Sequence, residues 1–159
     1  MDTSQDSVPR RCLVIVDMSV EQVADLSYKK DQVIQNCRAL STSSYFHLVV
    51  DSRLWLDSPE ESSLSWVWPE AGTTLFKKNS QGAALIPQLS DLDHVLFLPK
   101  NNYSCFCKSP LHDTLTAQKI QHVYICGINT DYCVFATALD YFSATFPTFV
   151  VREAVSSVR

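Results

Sequence analysis

The sequence predicts an α/β fold. The expected form is a three-layer α/β/α arrangement around a mostly parallel, doubly wound sheet of five or six strands. Three observations predict it. Short apolar runs rich in β-branched and aromatic residues recur along the chain. They are nearly continuous rather than alternating, which is the pattern of a parallel sheet covered on both faces. Helical patterns lie between them with short joins, and strand–helix alternation of this kind builds doubly wound sheets. The 159 residues suit one domain, and a chain of that length buries about 68–70% of its unfolded surface without needing a staple.

The elements follow in order. Residues 1–11, "MDTSQDSVPRR", read as a flexible polar tail, and 12–159 as a single domain. The strands are "CLVIVD" (12–17), "FHLVVD" (46–51), "HVLFLPK" (94–100), "HVYICG" (122–127) and "TFVVRE" (148–153). Between the first two, "KDQVIQNCRALS" sets Val33, Ile34, Cys37 and Leu40 on one helical stripe, with Asp31 near its start. In "SPLHDTLTAQK" Ser109 reads as a cap and Pro110 as the first helical residue. "DYCVFATALDYFSAT" is a third helix, capped by Thr130 or Asp131. The stretch 52–90 differs. It holds Pro59, Trp66, Trp68, Pro69, Gly72, Gly82 and Pro87, and only "GAALIPQL" looks helical. A long irregular segment in a small domain is usually functional or mobile.

Composition narrows the function. A net charge of -4 and a pI near 5.4 argue against nucleic acid, whose binders carry basic patches. No apolar run approaches the ~20 residues of a membrane span. The acidic start does not resemble a secretory signal, which places positive charge before an apolar stretch. A cytoplasmic protein with reduced thiols is therefore expected, and Cys12, Cys37 and Cys126 read as small buried residues.

In open α/β sheets the ligand sits beyond the carboxyl ends of the strands. Asp17, Asp51 and Lys100 end the first three runs, and Cys133 follows the fourth in the first turn of a helix. Each charged group has a plain alternative as the first residue to reach water. Together they suggest chemistry. A helix N-terminus and a nearby lysine lower a thiol's pKa. A carboxylate can take the thiol proton and hand it to a leaving amine. Backbone N–H groups at a helix start can hold an oxyanion.

The stretches "LVIVDM", "KNNYSCF", "GINTDYCVFATALDYF" and "FVVREAVSS" resemble the isochorismatase-like hydrolases, a superfamily that includes nicotinamidases and related cysteine amidases. The resemblance runs from about residue 12 to 157. Its most specific part is "GINTDYCVFATALD", close to G-x-x-T-D-x-C-V-x-x-T-A-x-D. It implies a catalytic triad of Asp17, Lys100 and Cys133. It also implies a non-proline cis peptide joining Ile128 and Asn129, with the N–H groups of Asn129 and Cys133 as oxyanion hole. Gln22, Trp68, Tyr103 and Ile128 are the expected substrate-pocket residues.

The chain departs from that pattern in three places. Many nicotinamidases hold a zinc-type ion through D-x-H and a histidine after W-P. Here "SRLWLDSP" sets Leu54 and Leu56 at the D-x-H positions, and no histidine follows Trp68-Pro69. Leucine cannot ligate a metal, so no catalytic metal and no cofactor are expected. His47, His94, His112 and His122 read as solvated or capping residues. The usual N-D-F after the first aspartate is replaced by "DMSVEQ", with Gln22 where the ring would stand. The resemblance also implies a further helix beyond "EAVSS" that the sequence does not contain. An open apolar face there predicts a homo-oligomer.

The leading expectation is a metal-independent cysteine hydrolase that cleaves the C–N bond of a small amide through a thioester. The alternative is a catalytically impaired binding or scaffold module on the same fold. A receiver-like phosphoacceptor fits poorly, because "DMSVEQ" lacks the acidic pair and Thr130 follows Lys100.

Overall fold

Alternation along the first strand decides the layering. The computed structural model describes residues 8–158, so most of the expected tail lies outside the described residues. In β1 (Arg11–Val16) the side chains point alternately to the two faces of the sheet. Leu13 and Ile15 pack with Val23, Val33, Ile34 and Cys37 on one face. Cys12, Val14 and Val16 pack with Leu111, Leu115, Val134 and Tyr141 on the other. The first group belongs to α1 (Val20–Ala24) and α2 (Lys30–Ser41). The second draws on α3 (Leu111–Ala117) and α4 (Phe135–Ser143). The sheet is thus the middle of three layers, and that burial explains the continuous apolar runs.

Five strands pair in parallel. The remaining four are β2 (Leu48–Ser52), β3 (Val95–Phe97), β4 (His122–Ile128) and β5 (Thr148–Ser156). Their order across the sheet is β3-β2-β1-β4-β5. The order reverses beside β1, so the first strand runs out to the switch point where such sheets bind ligands. The register sets Val16 of β1 beside Ser52 of β2 and Gly127 of β4. Gly127 has φ +107°, and a Cβ there would lie 2.1 Å from the Val16 carbonyl oxygen. Only glycine lets the two strands approach this closely.

Several expectations change. β3 is half the predicted length, because Pro99 cannot donate to the ladder. "GAALIPQL" is a chain of turns rather than a helix. Its backbone is committed elsewhere: Ala84 and Gly82 carbonyls accept the N–H groups of Val20 and Glu21, and Ile86 N–H donates to Met18. β5 continues three residues past its predicted end, with a register shift against β4 between Ile125 and Gly127. Pro110 takes the cap position of α3, and the Ser109 hydroxyl accepts the Leu111 N–H at 3.2 Å.

The segment 53–90 builds its own small core. Leu54, Leu56, Leu64, Ala71 and Phe76 are buried against one another at the carboxyl side of the sheet. Among the described residues no helix is long and apolar enough to cross a membrane.

Candidate active site

Three buried ionisable groups meet beyond the ends of β1, β3 and β4. Asp17 follows β1 with φ 54°, a left-handed conformation that aspartate tolerates better than most residues. Its N–H donates to the Ser52 carbonyl, and its Oδ1 accepts the Leu54 N–H at 3.0 Å. Its Oδ2 lies 2.8 Å from Lys100 Nζ, as an ion-pair contact without an aligned hydrogen bond. Lys100 is held from both sides, by its N–H to Arg53 and by its carbonyl from Trp55. The ammonium donates to the Asn102 carbonyl at 2.9 Å and to Cys133 Sγ at 3.4 Å. Neither side chain of the Asp17–Lys100 pair touches solvent.

The thiol sits in a π-helical turn, Thr130–Val134, that leads into α4. The cap is Asn129, not Thr130 or Asp131 as the sequence suggests. The Asn129 carbonyl accepts N–H groups from Tyr132 and Val134 at 3.2 and 3.0 Å. Both side chains are taken up by the chain beyond β5: Asn129 Oδ1 accepts Val158 N–H, and Asp131 Oδ1 accepts the Ser157 hydroxyl. π-helical turns occur often at functional sites. The peptide joining Ile128 and Asn129 is cis.

Charge at the site differs from expectation. Burial pushes the Cys133 thiol well above its ordinary value, and the Asp17 carboxylate adds to this while Lys100 opposes it. The helix-start field expected to lower it is outweighed by desolvation. Burial is the largest single influence on Lys100 and works against its charge, but Asp17, Cys133 and Cys105 together outweigh it and raise its pKa. The resting thiol is therefore neutral, beside the Asp17–Lys100 ion pair.

Cys133 opens into a cavity of about 540 Å³. Gln22, Trp68 and Tyr103 line it, as does the Asn129 of the turn. Ile128 does not: it is fully buried in the core on the α1–α2 face. Sequence reasoning missed Leu75, Phe76, Tyr132 and Val158, which also line it. They lie on the irregular segment, in the turn and after β5, and no periodic signal marks them. Tyr132 was adjacent to the thiol, and its stacking on Tyr103 with centroids 5.7 Å apart required the fold.

Asp51, the third strand-end charge, stands apart. It pairs with Arg53, whose Nε donates to the Ala83 carbonyl. The positions where metal-bearing nicotinamidases resembled by this chain have ligands hold Leu54 and Leu56, 1% and 0% exposed. Neither offers a lone pair, so the residues present do not fit such an ion. Among the described residues no group of three or more His, Cys, Asp or Glu could hold one. The histidines lie elsewhere, for example His47 accepting the Arg11 N–H and His94 against the Ser41 carbonyl.

The model of the isochorismatase domain matches residues 11–159. The chain belongs to the isochorismatase family. The ureidoacrylate amidohydrolase RutB of Cronobacter sakazakii is 34% identical over 86 residues, covering 54% of this chain and 37% of that protein. The chain thus matches well under half the length of this curated relative. Among solved structures, an isochorismatase family protein from Desulfovibrio vulgaris superposes with a TM-score of 0.79 at 18% identity, covering 96% of this chain and 84% of the other. N-carbamoylsarcosine amidase from Thermoplasma acidophilum gives 0.69 at 22%, covering 92% and 84%. These two likenesses establish a shared isochorismatase-family fold.

Proposed function

We propose that this isochorismatase-family chain is a metal-independent cysteine hydrolase that cleaves the C–N bond of a small amide. One observation carries the reading. A lysine ammonium lies 3.4 Å from a thiol and 2.8 Å from a carboxylate, all three buried, and the thiol lines the cavity. The names of the relatives, an amidohydrolase and an amidase, support the same chemistry.

The steps follow from the charges. Asp17 takes the Cys133 proton as the sulfur attacks the amide carbonyl, so the thiolate forms only when an electrophile is present. The N–H groups of Asn129 and Cys133 hold the oxyanion. Asp17 returns the proton to the leaving nitrogen, the C–N bond breaks, and ammonia or an amine departs. Water then adds to the thioester and releases the acid with the thiol restored. Lys100 pairs with Asp17 and stabilises negative charge at sulfur.

The test is ammonia release by purified protein from a panel of small primary amides. Cys133→Ala should lower the rate by about 10³-fold or more while the circular dichroism spectrum and melting stay close to wild type. Activity that survives the substitution overturns the thiol mechanism. A second reading, a binding module, is favoured by the neutral resting thiol and the apolar Leu54–Leu56 cluster. It requires that amides bind and no ammonia appears.

A further inference from the structure

The charges lining the cavity are of one sign. Among the described residues lining it, the charged side chains are Glu21 of α1 and Asp25 at that helix's C-cap, both acidic and four residues apart. Several nearby cations are committed elsewhere, while Lys30 reaches the rim, where its ammonium donates to the carbonyl of the lining residue Ala24 at 3.4 Å. Lys100 is paired with Asp17, Lys78 with Asp57 at 2.9 Å, and Arg53 with Asp51. Glu21 is fixed in place: its Oε1 accepts the Phe76 N–H at 2.7 Å and its own N–H donates to Gly82. The rest of the wall is apolar or aromatic, with Leu54, Trp68, Leu75, Phe76 and Tyr103. Leu54 and Phe76 continue into the buried cluster behind it.

A sphere of 540 Å³ is about 10 Å across, which matches the screening length at 0.1 M salt. An anion in the cavity therefore feels both carboxylates, and no described lining cation offsets them. Desolvating a carboxylate against leucine and tryptophan without a partner is costly. An uncharged apolar group gains from the same wall.

We propose that this cavity selects amides whose acyl group is uncharged and apolar, aromatic or branched aliphatic, and rejects acyl groups that carry a carboxylate. The proposal rests on the amidase reading above and names its substrate class. The comparison uses 4-nitrobenzamide and 4-carbamoylbenzoate, which have nearly the same shape and differ in charge. The expected kcat/KM is at least tenfold higher for the nitro compound. The variant Glu21→Gln/Asp25→Asn should narrow that ratio, chiefly by lowering KM for the anion. Glutamine keeps the acceptor for Phe76. Equal or better turnover of the carboxylate overturns the proposal, and so does an unchanged ratio in the variant. Absence of hydrolysis of both compounds counts against the amidase reading instead. The charge preference is then read from binding to Cys133→Ser protein by tryptophan fluorescence quenching. Equal or tighter binding of the carboxylate overturns the selectivity there too.

Discussion

At the scale of single residues, the thiol and its two neighbours form a coupled set. Asp17 is a cause of the raised Cys133 pKa, and Lys100 opposes it. Asp17→Asn therefore has two opposite effects. On the proposed mechanism turnover falls, because its proton acceptor is gone. Iodoacetamide labelling of Cys133 at pH 7.5 speeds up, by about tenfold for each pKa unit recovered. Labelling that stays constant or slows would contradict the assigned electrostatics. Removing the other partner is costlier. Lys100→Met leaves Asp17 buried without its cation and should cost about 3–5 kcal/mol in urea unfolding. Gly127 is constrained by backbone alone. Gly127→Ala drives a Cβ into the Val16 carbonyl, where no side chain can yield, and should cost about 3 kcal/mol.

At the scale of elements, the segment 53–90 supplies the apolar wall of the cavity without regular secondary structure beyond two short 3₁₀ turns, Pro59–Glu61 and Ser63–Trp66. It is held by its own cluster and by Arg53. That guanidinium lies over Phe97 at 4.1 Å and Trp55 at 5.3 Å while bonding the Ala83 carbonyl. Ala83 neighbours the carbonyls of Gly82 and Ala84 that anchor the start of α1. Arg53→Leu strands the Asp51 carboxylate and should cost about 3–5 kcal/mol, and Asp51→Leu in the same chain should recover much of it. Thermal melting of the single and double variants measures both. A double variant as weak as the single one would mean that the Ala83 bond, rather than the stranded charge, matters most.

Over the whole molecule, buried thiols link stability to alkaline pH. Burial pushes the thiols of Cys12, Cys105 and Cys133 up, and a hydrogen bond with Cys37 together with burial raises Cys126. A thiol raised in the folded state keeps its proton while the unfolded one, near pKa 8.5, loses it. Unfolding then releases protons, so stability is full below about pH 8 and falls as pH rises, by up to about 1.4 kcal/mol per unit for each thiol. Lys100, raised by Asp17, has the same sign and acts above about pH 10. The urea midpoint should drop steeply between pH 8.5 and about pH 10.5. A flat profile across that range would show that the thiols ionise normally in the fold.

Sequence by itself determined the layered parallel sheet, since burial on both faces leaves continuous apolar runs that few other folds need. It also placed Asp17 and Lys100 at strand ends, which carry the first polar groups beyond the core, and Cys133 just after the fourth strand. It did not determine that "GAALIPQL" avoids a helix, because the competing partners are backbone groups of residues 18–21, far away in sequence. Nor did it determine the cap of the Thr130–Val134 turn, which depends on Ser157 and Val158 arriving beside Asp131 and Asn129. The direction of the thiol's pKa was also a tertiary matter. A helix start is visible in the chain order, whereas desolvation is set by everything that packs around the sulfur.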